Sequence, residues 1–150
     1  MRDLSRRSFV SATVAVALYC RTATAQNRSP GTRVALNGYD PISYFTEGKP
    51  EKGASEFQFA FDDTTYWFKS AEHRAQFAGD PERYAPQFHG YCAVLVSRGE
   101  KVEADPEAWT ITNGKLYVFA AKKVVPVFQQ QTANIVEKAS ENWQKLRASP

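Results

Sequence analysis

Two short stretches built for antiparallel pairing constrain this chain more than any other feature. Glu56-Phe57-Gln58-Phe59-Ala60-Phe61 alternates polar and apolar side chains with the period of a half-buried strand. Asp62-Asp63 supplies a turn, and Thr64 to Lys69 (TTYWFK) returns as an aromatic and β-branched strand. Further on, Trp109-Thr110-Ile111 and Lys115-Leu116-Tyr117-Val118-Phe119 flank Asn113-Gly114, with Thr112 at the strand end; this dipeptide favours the left-handed backbone of a tight hairpin. Helical signals lie between and after the hairpins. Asp40-Pro41 reads as a cap followed by proline in the first turn of a short helix that runs through Tyr44-Phe45 and stops by Gly48. Ser70 caps a helix from Ala71 to Ala78, closed by Gly79, and a shorter turn follows through Tyr84 to Pro86. His89 to Arg98 fits either a helix or a buried strand, and Gly99 as a stop favours the helix. Pro126 sits in the first turn of one C-terminal helix, and a second spans about Thr132 to Leu146 with Ile135, Ala139, Trp143 and Leu146 on one face, expected to dock on the sheet. The expectation is a small α+β domain: two β-hairpins packed against short helices and a C-terminal helix pair. Asp-Pro recurs at Asp80-Pro81 and Asp105-Pro106, and unequal spacing marks these as local capping chemistry rather than a sequence repeat.

The first 25 residues read as an address. Arg6-Arg7 precedes an apolar run from Phe9 to Tyr19, too short for a bilayer core of about 30 Å. Ala23-Thr24-Ala25 supplies small residues for a signal peptidase, so cleavage is expected before Gln26. The arginine pair implies the twin-arginine export machinery as a partner, a periplasmic or secreted destination and no membrane span in the mature protein. The expected boundaries are a leader at 1–25, a polar linker at 26–32, a domain at 33–147 and a tail at 148–150.

Removing the leader changes the electrostatics. The chain carries a net charge of +3, but the leader holds four arginines against Asp3, leaving 15 basic and 15 acidic side chains. A balanced domain has no electrostatic footprint for nucleic acid. Cys20 leaves with the leader, and Cys92 alone cannot form an intramolecular disulfide.

The mature chain resembles the YHS-domain family, specifically its exported single-domain members. The resemblance rests on Gly38-Tyr39-Asp40-Pro41-x-x-Tyr44-Phe45, on Tyr66-x-Phe68-x-Ser70-Ala71-Glu72 and on Phe77-x-x-Asp80-Pro81-x-x-Tyr84-Ala85-Pro86. It continues through Gly90-Tyr91-Cys92-Ala93, Asp105-Pro106-x-Ala108-Trp109 and Gly114-Lys115-Leu116-Tyr117 to Ile135 and Trp143. In members attached to metal pumps, the resemblance implies a soft-metal site built from cysteines. Here those positions read Ser43, Lys69 and His73, so the thiolate set is absent.

Three soft or borderline donors remain: His73, His89 and Cys92. They form the candidate ligand set for copper or zinc, with Tyr39, Asp40 or Glu72 available to complete a shell. The competing reading makes Cys92 a buried small residue and both histidines surface or capping groups. Tyr39, Asp40, Tyr44, Tyr66, Phe68 and Tyr91 are candidate pocket residues, against the plainer reading of the aromatics as core. Strand alternation turns Trp67 away from Tyr66 and Phe68, toward solvent, a further helix layer or a partner. A thiol enzyme using Cys92 with His89 is a third reading, weakened by the lack of an orienting group. No phosphate loop, HExxH or serine elbow is present, so the first expectation is a non-enzymatic binding module handling metal. The alternative is a structural, small-ligand or protein-interaction module without metal.

Overall fold

The computed structural model describes residues 33–149, so the leader, the cleavage site, the whole linker and Pro150 lie outside the described residues. Strand β1 (Arg33–Val34) leads through a 3-10 turn at Ala35–Gly38 into α1 (Pro41–Thr46). Hairpin β2 (Ala54–Phe61) and β3 (Thr64–Phe68) follows, then α2 (Ala71–Gly79) and α3 (Pro81–Tyr84). A second 3-10 turn at Gln87–Gly90 leads into α4 (Ala93–Val96) and hairpin β4 (Asp105–Thr112) and β5 (Lys115–Phe119). The chain closes with α5 (Val125–Gln130) and α6 (Thr132–Leu146). This is the expected α+β arrangement. Strand β1 was not anticipated; it pairs parallel to β3, making a three-stranded sheet in the order β1-β3-β2 beside the two-stranded β4-β5.

The chain traces the same path twice. Leu36 and Asn37 take left-handed backbone angles (φ 54° and 50°) before Gly38, and Phe88 and His89 do the same (φ 54° each) before Gly90. Tyr39 and Tyr91 then form equivalent isolated bridges, to Lys52 and Glu103. The next residue donates to the same place in each half: Asp40 N to Glu51 O at 2.8 Å, Cys92 N to Val102 O at 2.9 Å. Each stands at the N-cap position of a short helix, where only the Asp40 side chain makes a capping bond. Both hairpins carry a register shift at the same point, between Ala54 and Gln58 and between Asp105 and Trp109. Their tight turns are Asp62-Asp63 and Asn113-Gly114, all four residues at positive φ. After each hairpin an extended residue, Ser70 (φ −151°) or Ala121 (φ −160°), starts the helical segment that delivers a central phenylalanine.

Those phenylalanines organise two matching cores. Tyr66 and Phe68 meet Phe77 at 5.0 Å each, with interplanar angles of 37° and 54°. Tyr117 and Phe119 meet Phe128 at 4.8 and 5.1 Å, with angles of 39° and 53°. The two cores abut through β5. Its alternation sends Tyr117 and Phe119 into the C-terminal core and Leu116 and Val118 into the N-terminal one. Tyr44 fastens the join from the other side, with its hydroxyl donating to Pro106 O at 3.0 Å and its ring edge-on to Trp109. In the second half Pro86 stands where Val34 stands in the first; it has no N–H to donate, so the second sheet gains no equivalent of β1.

Three local expectations need correction. Asp105-Pro106 opens β4 rather than a helix: Asp105 Oδ1 accepts from Glu107 N at 2.9 Å, and the β-rich run that follows pairs with β5. His89 to Arg98 is a 3-10 turn, an extended Tyr91-Cys92 step and a four-residue helix, because the left-handed Phe88-His89-Gly90 segment interrupts any continuous helix. Helix α6 buries Ile135, Ala139 and Trp143 as expected, but it lies largely on α4, where Asn142 Nδ2 donates to Val96 O and Ser97 O at 3.1 and 3.0 Å. Trp67 faces away from Tyr66 and Phe68, as alternation required, and its ring closes over the Gly38 turn. No helix of the described residues is long and apolar enough to cross a membrane.

Candidate functional site

The notch between the starts of α1 and α2 gathers the polar chemistry of the N-terminal half. Asp40 caps α1, its Oδ1 accepting from Ile42 N at 2.8 Å, with Pro41 in the first turn where no N–H is needed. Its Oδ2 accepts from Lys69 N at 3.0 Å, at the end of β3. Ser70 caps α2, its Oγ accepting from His73 N at 3.2 Å, which fixes His73 in the first turn of that helix. The His73 ring then lies against Asp40, with Nδ1 to Oδ2 at 2.6 Å. Asp40 is fully buried, while the His73 side chain keeps 15% of its surface.

The other partners of the Asp40 side chain, Ile42 N and Lys69 N, are backbone donors, and a carboxylate can only accept. His73 Nδ1 therefore donates, and Nε2 is the nitrogen left for another group. A carboxylate behind an imidazole is the arrangement that fixes ring orientation and raises the basicity of the far nitrogen. Around the pair, Ser43 is also buried; its hydroxyl donates to Asp40 O at 2.7 Å and accepts from Glu51 N at 3.2 Å. The Lys69 ammonium is ion-paired with Glu47. Glu72, fully exposed in the first turn of α2, has its carboxyl held below the ordinary range, chiefly by hydrogen bonding to its own backbone and to Ser70, with His73 adding.

His89 belongs to a different neighbourhood. Its ring stands edge-on to Trp143 at 5.0 Å, with Nδ1 3.4 Å from Thr64 Oγ1 and Nε2 3.8 Å from Asp62 Oδ2. Burial lowers its pKa, against an opposing pull from Asp62. Its carbonyl accepts from Arg33 Nη1 at 2.7 Å, and the same guanidinium holds Glu103 through two bonds of 2.6 Å and covers Tyr91. Cys92 is elsewhere again, fully buried in the C-terminal core beside Ala93, Val96 and Phe128. His73, His89 and Cys92 are not brought together: among the described residues no three histidine, cysteine, aspartate or glutamate side chains are grouped so that they could hold a metal ion. A resident centre built from those three does not fit this fold.

The candidate pocket residues divide. Tyr44, Tyr66 and Phe68 are core, each at most 1% exposed. Burial drives the Tyr44 and Tyr66 hydroxyls upward in pKa, so both stay neutral. Tyr39 and Tyr91 are half-buried at equivalent places in the two halves, each beneath a cation, Lys52 and Arg33 respectively. Asp40 alone of the six takes part in the polar notch. Its pairing with His73, 33 residues away, was not derivable from spacing; the two capping signals, Asp40-Pro41 and Ser70, were the only hint that both residues start helices. The C-terminal half repeats the scaffold without the chemistry, with Cys92 in the place of Asp40, Leu95 of Ser43 and Val124 of His73. No protein-family model matches the chain, and comparisons with curated proteins and with solved structures return no match.

Proposed function

We propose that the chain is an exported, non-enzymatic binding module of YHS type that handles copper or zinc as cargo through the His73 imidazole. The observation that carries this reading is the 2.6 Å bond between buried Asp40 and His73. It orients one imidazole donor with its far nitrogen uncommitted to Asp40, and imidazole suits either ion. One imidazole makes an incomplete coordination sphere, so the remaining ligands come from water or from a partner that delivers or receives the ion. Weak, rapidly exchanging binding by the isolated domain follows. Cys92, sealed among hydrocarbon side chains, has no part in the reading.

The test is a titration of the metal-free domain with zinc, and separately with copper(II), followed by NMR of the two imidazoles. His73 resonances are expected to shift with zinc and broaden with copper, and a His73→Gln variant is expected to lose the response while keeping its fold. A response confined to His89, or none up to millimolar metal, would sink the proposal.

A further inference from the structure

The repeated scaffold has a second notch, at the place where the first holds Asp40 and His73. Between α4 and the start of α5 lies a hollow of about 270 Å³, walled by Val94, Leu95, Arg98, Lys123, Val124 and Val127. A smaller hollow of about 190 Å³ shares Val94, Arg98 and Val127 and continues to Ile135 and Lys138 on α6. The substitutions between the halves are systematic. Val124 replaces His73, Leu95 replaces Ser43, and Lys123 stands where Glu72 does, so a polar notch with a carboxylate rim has become an apolar notch with an ammonium rim.

Two features define what this notch would take. Val127 is 40% exposed, the one large apolar side chain of the described residues left so open. Arg98, Lys123 and Lys138 line the two hollows without any carboxylate among the lining residues. That local excess is specific, because residues 33–149 as a whole contain 14 basic and 15 acidic side chains. An apolar floor with a cationic rim fits an anionic amphiphile. The chain's own N-terminal segment is a poor occupant, since residues 1–32 hold five arginines against one aspartate.

We propose that this second notch is a binding site for a medium-chain carboxylate, with its acyl tail over Val94, Leu95, Val124 and Val127 and its head between Arg98 and Lys123. The site is independent of the His73 reading. The probe is octanoate, below its micellar range, followed by methyl NMR of the exported domain. Acetate (no tail), octylamine (the same tail, opposite charge) and anionic phospholipid vesicles serve as comparisons. Saturable shifts at Val94, Val124 and Val127 with octanoate alone are expected. Lys123→Glu should weaken binding about fivefold, as suits reversal of one partly exposed charge, and Val127→Asp should abolish it. Both side chains are exposed, so the variants are expected to fold, which far-UV circular dichroism checks. His73→Gln should leave octanoate binding unchanged. Equal binding of octylamine, shifts mapping to other residues, binding to vesicles only, or no saturable shift would each overturn the proposal.

Discussion

Replacing Asp40 tests the site and the fold together. The carboxylate accepts from Ile42 N, Lys69 N and His73 Nδ1, and the residue has no exposed surface through which water could substitute. In Asp40→Ala the lost helix cap costs about 1 kcal/mol. Stranding the Lys69 and His73 donors adds about 1–3 kcal/mol each. The total of about 3–7 kcal/mol corresponds, for a domain of this size, to a melting temperature lower by about 12–28 °C. Asp40→Asn separates charge from shape. With its oxygen kept on the Ile42 cap, its amide NH₂ takes the place of Oδ2 and faces His73 Nδ1 and the Lys69 N–H, which loses its acceptor. The ring must accept there, so its proton moves to Nε2. Thermal unfolding reads the first effect, and ¹⁵N chemical shifts of the His73 ring read the second. The reasoning fails if Asp40→Ala lowers the melting temperature by less than about 4 °C, equivalent to about 1 kcal/mol, or if Asp40→Asn retains the Nδ1–H tautomer while the Ile42 N–H stays protected from hydrogen exchange.

Other perturbations follow from the same geometry. Gly38→Ala forces a Cβ to within 2.6 Å of Trp67 Cε3 at φ +78°, whereas Gly114→Ala, at φ +72°, meets nothing within 4 Å. The first should cost about 3 kcal/mol and the second about 1, measured by urea unfolding, because only the first adds overpacking to backbone strain. Phe77→Ala and Phe128→Ala, fully buried at matching centres, should each cost about 3–5 kcal/mol by the same method. His89 has a lowered pKa in the folded state, so between that value and the unfolded 6.5 the unfolded chain binds the extra proton. Its contribution to stability is therefore intact above about pH 6.5 and declines as the pH falls toward and through the folded value. The melting temperature of His89→Gln should depend less on pH across that window than that of the unsubstituted protein.

How much of this was legible depends on the range of the signal. Both hairpins, the capped starts of α1 and α2 and the buried face of α6 rest on spacings of a few residues, and the structure has them where alternation, capping and helical periodicity put them. The doubling of the fold was not legible. Few side chains are shared between the halves beyond Gly38-Tyr39 with Gly90-Tyr91, Tyr66 with Tyr117, Phe68 with Phe119 and Phe77 with Phe128. The offset also slips, from 52 residues at Tyr39 and Tyr91 to 51 at Phe77 and Phe128. What the halves have in common is backbone: paired left-handed residues before a glycine, which Leu36-Asn37 and Phe88-His89 reach with unrelated side chains. The candidate ligand set failed for a related reason. Spacing put His89 and Cys92 on one helical face, but the left-handed turn separates them, sending one toward Trp143 and the other into the core. β1 was missed because two residues carry no periodicity.

The placement of β5 has a consequence for how the molecule comes apart. Successive side chains of one five-residue strand complete opposite interiors, so severing the protein between its two turns of the path would leave neither fragment whole. The N-terminal piece would lose the part of its core that Leu116 and Val118 fill, and the C-terminal piece would show those same two residues to water. Despite its doubled plan, the protein should melt in one cooperative step.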